Sequence, residues 1–166
     1  MSRLLERLRK FKGNRGMMAN LRCIHVENKK HRAWPALNRL GVAIDNNVSA
    51  FVAGLFATHP EETFTGNFGA TSKSIEQRRR EKRNDDNKMT PSERRFQHLL
   101  TAETDAELYD RVLRIVLMAK SQGVPVNYAK LETDLKSWFL NDLTKTDWAA
   151  AFWTPETISA SAEEEI

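Results

Sequence analysis

The sequence predicts an all-α protein, and three observations support this fold class. Apolar residues recur at helical spacing along most of the chain, capping boxes of the form Thr-x-x-Glu precede two of the apolar runs, and no run alternates as a strand does. The 166 residues are enough for one domain or two small ones with a buried core. We expect a compact helical bundle protein with N-terminal and C-terminal helical halves joined by a polar, basic linker.

The N-terminal region, residues 1–75, contains four predicted helices. Apolar residues at helical spacing place them over residues 2–12, over residues 17–24, from about Pro35, and over residues 47–58. The last is the clearest core helix, because its large apolar side chains follow the i, i+3, i+4, i+7, i+8 template. His59-Pro60 ends it, and the scarcity of large apolar residues predicts a loop from there to Ser74.

A charged linker is predicted over residues 76–90. Basic side chains between residues 78 and 83 are followed by Asn84-Asp85-Asp86-Asn87, the most polar stretch of the chain. We expect residues 77–88 to be exposed and mobile, because such a composition buries little apolar surface.

The C-terminal bundle is predicted over residues 91–153. Thr90-Pro91-Ser92-Glu93 and Thr104-Asp105-Ala106-Glu107 are capping boxes, so a helix should begin after each Thr. Asn127 and Thr144 are the predicted N-caps of two further helices. The period places Trp138, Trp148 and Trp153 in the core, whereas we expect Trp34 to be exposed. Residues 154–166 are predicted to form a disordered acidic tail.

Charge is distributed unevenly along the chain. The totals of 26 Lys and Arg against 22 Asp and Glu give +4, but residues 1–100 carry 20 basic and 10 acidic side chains, and residues 101–166 carry 6 and 12. The first part is therefore suited to a polyanion. The single cysteine, Cys23, excludes an intramolecular disulfide and fits a reducing cytoplasm. We expect neither a membrane span nor a signal peptide, and a cytoplasmic location.

Catalysis and metal binding are not expected. Cys23, His25 and His31 match no zinc spacing and supply only three ligands, and a lone Cys in a helical protein is usually a small buried hydrophobe. Asp85 and Asp86 lie in a polar run without a predicted rigid element to hold two carboxylates around a metal. We expect no cofactor, and a metal-dependent enzyme is the weakest of three hypotheses.

Grouped basic residues are the most informative signal. Arg94 and Arg95 lie in a first helical turn, where the helix dipole disfavours cations, which indicates a role other than helix stability. Arg111 and Arg114 are neighbours on the next predicted helix. Further basic groups precede them at Arg15, Arg22, Lys29, Lys30, Arg32, Arg78, Arg79 and Arg80. This distribution is typical of sequence-independent contact with phosphates.

Several strings resemble the CasB family, the small subunit of the type I-E CRISPR Cascade complex. In the C-terminal half they are Ser92-Glu93-Arg94-Arg95-Phe96, Gly123-Val124-Pro125-Val126, Leu131-Glu132-Thr133-Asp134-Leu135-Lys136-Ser137-Trp138 and Trp148-Ala149-Ala150-Ala151-Phe152-Trp153. Looser similarity appears at Arg15-Gly16, at Leu55-Phe56-Ala57-Thr58-His59-Pro60 and at Gly66-Asn67-Phe68-Gly69. Together these strings span most of residues 14–153.

The resemblance implies a non-catalytic subunit of an RNA-guided DNA surveillance complex. Such a subunit is present in two copies, packs against the subunits that hold the guide RNA, binds the displaced non-target strand, and supports recruitment of a helicase-nuclease. By motif position the strongest strand-binding candidates are Arg94, Arg95, Arg111 and Arg114. The other basic residues are candidates by charge, and the 78–83 stretch is either a strand-sweeping arm or merely solvated.

The alternative hypothesis is a purely structural subunit. In that case the basic face docks on guide RNA or on acidic protein neighbours without contacting DNA. The partners that the resemblance implies are the backbone, large and other Cascade subunits, the guide RNA, the target DNA and a second copy of the chain. Charge reversal separates the two hypotheses, because only a strand-binding subunit loses strand protection while it still assembles.

Overall fold

The computed structural model describes residues 3–81 and 89–155, with the side chains of residues 80 and 81 excepted. Its described residues form nine α-helices and two short 3₁₀ turns, and they contain no strand beyond a single bridge between Glu62 and Val126. The helices are α1 (Arg3–Phe11), α2 (Arg15–Arg22), α3 (Trp34–Arg39), α4 (Asn47–Thr58), α5 (Phe68–Glu81), α6 (Pro91–Leu99), α7 (Asp105–Gln122), α8 (Tyr128–Ser137) and α9 (Leu143–Phe152). The all-α prediction is confirmed.

Helix α4 is the centre of the fold. Every residue from Ser49 to Thr58 is buried, and α4 packs against α1, α2, α7 and α8. A helix that is apolar on all sides is buried on all sides. The predicted apolar stripe is therefore only one of the buried faces of α4. Near the start of α4, the buried Ser49 hydroxyl is satisfied within the protein, since it lies 3.1 Å from the Glu132 carboxylate.

The predicted loop up to Ser74 is wrong, because α5 begins at Phe68. The Asn67 side chain accepts a hydrogen bond from the Ala70 amide at 3.0 Å and so caps the helix. Gly69 lets α9 approach: a Cβ at this position would lie 2.1 Å from the Trp148 carbonyl oxygen. The glycine that suggested a loop is therefore required for the close packing of α5 against α9.

The hydroxyl residues of α5 also explain the error. Thr71, Ser72 and Ser74 donate to the carbonyls four residues earlier, at 2.9 to 3.3 Å. These bonds satisfy the hydroxyl groups inside the helix, so Thr71 and Ser72 can be buried. A search for periodic large apolar residues misses α5, because small and hydroxyl residues separate its two large buried apolar side chains, Phe68 and Ile75.

The predicted mobile linker is helical over its first part. Helix α5 continues through Glu81, so residues 77–81 belong to a helix and not to an irregular linker. Gln77 and Arg78 are exposed as expected, whereas Arg79 is only partly exposed. Residues 82–88 lie outside the described residues, as do residues 156–166 of the predicted tail. The proposed boundary at residue 76 falls inside α5, which packs against α6, α7 and α9. The division into halves stays a prediction.

Helix ends follow the predicted caps with one exception. Thr90, Thr104 and Asn127 each accept a hydrogen bond from the amide three residues later, at 3.2 Å. Gly123 ends α7 in the left-handed conformation with φ 68°. Thr144 is not an N-cap: α9 begins one residue before it, and its hydroxyl lies 2.8 Å from the Ser137 hydroxyl.

The tryptophans divide into two buried and two exposed. Trp138 and Trp148 are fully buried as predicted, and the Trp148 indole donates to Asp134 at 2.8 Å. Trp34 is exposed as predicted. Trp153 is 40% exposed, so its assignment to the core is wrong. It follows the end of α9, where its indole donates to Glu93 at the surface, 3.2 Å away.

Candidate nucleic-acid interface

Three cations from three helices lie along one edge of α7. Arg114, Met118 and Gln122 are spaced by four residues, so they form a row about 12 Å long on the surface of α7. Arg114 is the first residue of this row. Arg95 of α6 places Nη1 3.1 Å from the Met118 Sδ, and Arg78 of α5 donates to the Gln122 carbonyl. We call Arg78, Arg95 and Arg114 the α7 ridge.

The ridge cations face solvent. Arg78 and Arg95 are exposed, and the neighbouring Arg94 is exposed as well. The Arg114 side chain is 66% exposed, and its Nε lies 3.3 Å from the carboxylate of Asp110, whose side chain is similarly exposed. An ion pair of this kind is worth only about 0.2–1 kcal/mol, so a phosphate can compete for Arg114.

Arg111 has a different environment from its neighbour Arg114. Its Nη1 donates to the His98 carbonyl at 2.9 Å and to the Thr101 hydroxyl at 3.1 Å, while Nη2 donates to Glu107 at 2.9 Å. Its side chain is only 16% exposed. The guanidinium thus ties the C-terminal end of α6, where carbonyls lack helical partners, to α7.

Arg79 and Arg80 follow Arg78 on α5. Arg79 is partly exposed, and its Nε is buried without a hydrogen-bond partner. The side chain of Arg80 lies outside the described residues. Of the two side chains that are described, Arg78 contacts α7 through the Gln122 carbonyl.

A second basic group lies in the N-terminal region. Arg15 and Arg22 are exposed on α2, which continues through Gly16, so their spacing of seven places them on one face. The Arg22 Nη1 also donates to the Ala57 carbonyl at 3.2 Å, near the end of α4. Between α2 and α3 the chain carries Lys29, Lys30 and Arg32, and we call this trio the basic connection.

A cavity of about 400 Å³ separates the basic connection from α7. Lys30 lines one side, and Asp110, the partner of Arg114, lines the other. Lys30 itself lies 2.8 Å from Glu27, a carboxylate that is almost fully exposed. The cavity thus brings the basic connection and one end of the α7 ridge to the same part of the surface.

Aromatic rings form much of the cavity lining. Tyr109 stacks on Phe51 with ring centroids 4.4 Å apart, and His25 meets the edge of Phe51 at 5.7 Å. Burial raises the pKa of Tyr109 to about 12, helped by the charge of Asp105, and burial lowers the pKa of His25. Both side chains are therefore neutral near pH 7.

Sequence reasoning missed this cavity. Its members come from separate segments, with His25 before α3, Phe51 in α4 and Tyr109 in α7. The exposure expected for Trp34, which also lines the cavity, was the available signal. Nothing in the sequence indicated that Trp34 would meet α7.

The weak metal hypothesis gains no support. The described residues contain no group of three or more His, Cys, Asp or Glu side chains that could hold a metal ion. Cys23 is only half-buried, so the expectation of a buried hydrophobe is not met, and its Sγ lies 3.5 Å from the Ala19 carbonyl. In the part of the chain that is described, no helix has the length and apolar character needed to cross a membrane.

Comparison with protein families identifies the chain. The model of the CRISPR-associated protein Cse2 family matches residues 7–153. The chain belongs to the Cse2 family. The resemblance to CasB, the small subunit of type I-E Cascade, is thereby confirmed.

Solved structures of Cse2-family proteins share this fold. A CRISPR-associated protein of the Cse2 family from Thermus thermophilus has a TM-score of 0.73 at 19% identity, covering 93% of this chain and all of the other. A structure of CasB from Thermus thermophilus gives 0.72 at 18% identity with the same coverage. CasB from M. ruber gives 0.57 at 18% identity, covering 100% of this chain and 91% of the other. A search of curated proteins finds no match.

Proposed function

We propose that this Cse2-family chain is a non-catalytic Cascade subunit that binds the displaced non-target DNA strand along the α7 ridge and so stabilises the R-loop. Its partners would be the other Cascade subunits, the guide RNA, the target DNA and a second copy of itself, in the cytoplasm. The completed complex would recruit a separate helicase-nuclease. The alignment of Arg78, Arg95 and Arg114 along one helix edge is the observation that carries the proposal.

The ridge suits a phosphate backbone. Its length of about 12 Å allows its three cations to contact several phosphates of one strand. Arg94 adds a fourth exposed cation beside Arg95. Four phosphate contacts on single-stranded DNA predict a salt slope, the change in log affinity per unit of log salt concentration, of roughly −3.

Arg111 contributes differently. Three of its five donors are already used within the protein, so we assign it to holding α6, and hence Arg94 and Arg95, against α7. Arg15, Arg22 and the basic connection remain candidates for additional phosphate contacts because they are exposed or partly exposed cations.

A few contacts are enough for this role. The heteroduplex formed by a guide RNA is about as stable as the DNA duplex that it replaces, so the R-loop is nearly balanced in energy. Modest backbone binding to the displaced strand shifts that balance toward the open state. The ridge supplies such contacts without reading base sequence.

The test compares binding with assembly. Arg95→Glu/Arg114→Glu should weaken binding of a single-stranded oligonucleotide by the full chain while the protein still enters guide-programmed complexes. Lys120→Glu is the matched control, because it makes the same kind of charge reversal on α7 two residues after Met118, on another side of the helix. If the double variant binds the strand normally but fails to assemble, the structural-subunit hypothesis is favoured.

A further inference from the structure

The cavity between the basic connection and α7 has the composition of a stacking site. Its lining includes the aromatic side chains of Trp34, Phe51 and Tyr109 together with Ile24, Ile44 and Leu113. Ligand sites in proteins are concave, about 300–1,000 Å³ in volume, and mostly apolar with a few polar groups. The volume of about 400 Å³ lies in this range.

Polar side chains also line the cavity. They are His25, Lys30 and Asn47 together with the carboxylates of Glu27 and Asp110. Each carboxylate has a cationic partner, since Glu27 pairs with Lys30 and Asp110 with Arg114. Lys29 and Arg32, the exposed cations of the basic connection, lie within two residues of Lys30 in the chain but are not part of the lining.

Trp34 is an aromatic lining residue that is also exposed to solvent. Its side chain is 38% exposed although it lines the cavity, and its ring centroid lies 6.3 Å from that of His31 in a T-shaped arrangement. Ile44, also on the lining, is more exposed still. Single-stranded nucleic acids are held with bases on aromatic rings and the backbone on cations. Here the rings line the cavity, Lys30 lines it as well, and Arg114 is ion-paired with the lining residue Asp110.

We propose that this cavity binds one unstacked nucleobase, with the strand backbone passing between Arg114 and the basic connection. The inference rests on the proposed function, which supplies the strand. The group that the cavity would recognise is a planar heterocycle, either in a strand or in a free nucleotide. No base-specific contact is required, since every base presents a π-face.

An abasic strand isolates the base contribution. We would measure binding of the full chain to a thymidine oligonucleotide of about 12 nucleotides and to an abasic strand of equal length and charge. One stacked base predicts roughly tenfold tighter binding of the thymidine strand. Equal affinities with a normal salt slope would overturn the base site and leave the proposed strand binding intact.

Two variants and a control locate the effect. Trp34→Ala removes an exposed ring, and Ala106→Trp places a large side chain at an exposed position on the cavity lining. Each should reduce the thymidine preference to about one without changing affinity for the abasic strand. Phe64→Ala, which removes an exposed aromatic outside the cavity, should keep the preference.

A nucleotide probe keeps the two proposals separable. If the chain binds neither strand, the proposed strand binding fails for the full chain, and thymidine monophosphate then decides the base site. A shift of the Trp34 indole NMR signal, assigned by its loss in Trp34→Phe, supports the site, and no shift overturns it. If Trp34→Ala instead blocks assembly while the thymidine preference is unchanged, the cavity is a protein docking surface and the base site is wrong.

Discussion

The Arg95 guanidinium lies 3.1 Å from the Met118 sulfur, so a cation of α6 is held on the surface of α7. A thioether is a weak acceptor and carries no charge, so it positions the guanidinium without neutralising it. Arg114, one turn earlier on α7, is paired with an exposed carboxylate instead. Both arrangements leave the positive charge available to an external anion.

Arg111 and Arg114 should differ in their effect on stability. Arg111→Ala is expected to lower the free energy of unfolding by about 1–2 kcal/mol, because it removes three hydrogen bonds of a largely buried guanidinium, to the His98 carbonyl, the Thr101 hydroxyl and Glu107. Arg114→Ala should cost less than about 0.5 kcal/mol, because its ion pair is exposed. Urea unfolding of both variants measures the difference, and equal losses would contradict the separation of roles.

Close packing of α5 on α9 should make Gly69 intolerant of a side chain. Gly69→Ala is expected to cost about 1–3 kcal/mol, since the new Cβ would lie 2.1 Å from backbone and cannot be accommodated by a rotamer change. Gly13→Ala is the control, because no atom lies within 4 Å of the added Cβ. Thermal unfolding should show a loss for Gly69→Ala alone, and an unchanged midpoint would contradict the described contact.

Acid should weaken the fold partly through His25. Burial lowers the pKa of His25 below its ordinary value of 6.5, so the unfolded chain binds its proton more readily. The stability that neutral His25 provides is therefore fully present above about pH 6.5 and is lost as pH falls toward the folded-state pKa. His25→Gln should lose less stability between pH 7 and pH 5 than the parent, measured by urea unfolding at both pH values. An identical loss in both proteins would refute this assignment.

Alkaline titration should reveal two protected tyrosines. The chain has two Tyr residues, and burial raises the pKa of Tyr109 to about 12 and that of Tyr128 further. Tyrosinate absorbance should thus be nearly absent at about pH 10.5 in the folded protein and appear near pH 10 in denaturant. Because the unfolded phenols ionise first, stability falls as pH rises above about 10. Ionisation of one residue near pH 10 in the folded state would show that its ring is not enclosed.

Local signals predicted most of the helices correctly. The capping boxes at Thr90 and Thr104 position α6 and α7, since a side-chain cap acts over three residues and is visible in the sequence. The periodic apolar run of α4 is equally local. Most of helix α5 was missed because only Phe68 and Ile75 on its buried face are large and apolar. The rest of that face includes Gly69 and hydroxyl residues, and Gly69 is needed only because a helix about 80 residues later packs against it.

The candidate interface was only partly predictable. The resemblance and the charge groups both indicated Arg95 and Arg114, but they did not separate Arg114 from Arg111. The difference arises because Arg111 donates to the His98 carbonyl, a backbone group in the last turn of α6. Likewise, the sequence presents Arg78 only as one of several consecutive basic residues. Its position beside α7 is known from its hydrogen bond to the Gln122 carbonyl.

The most direct test of the central claim is footprinting of the displaced strand in guide-programmed complexes at several salt concentrations. We predict protection that requires this chain, weakens as salt rises, and is lost in Arg95→Glu/Arg114→Glu but kept in Lys120→Glu. Protection that is unchanged in complexes containing the double variant would contradict strand binding by the α7 ridge.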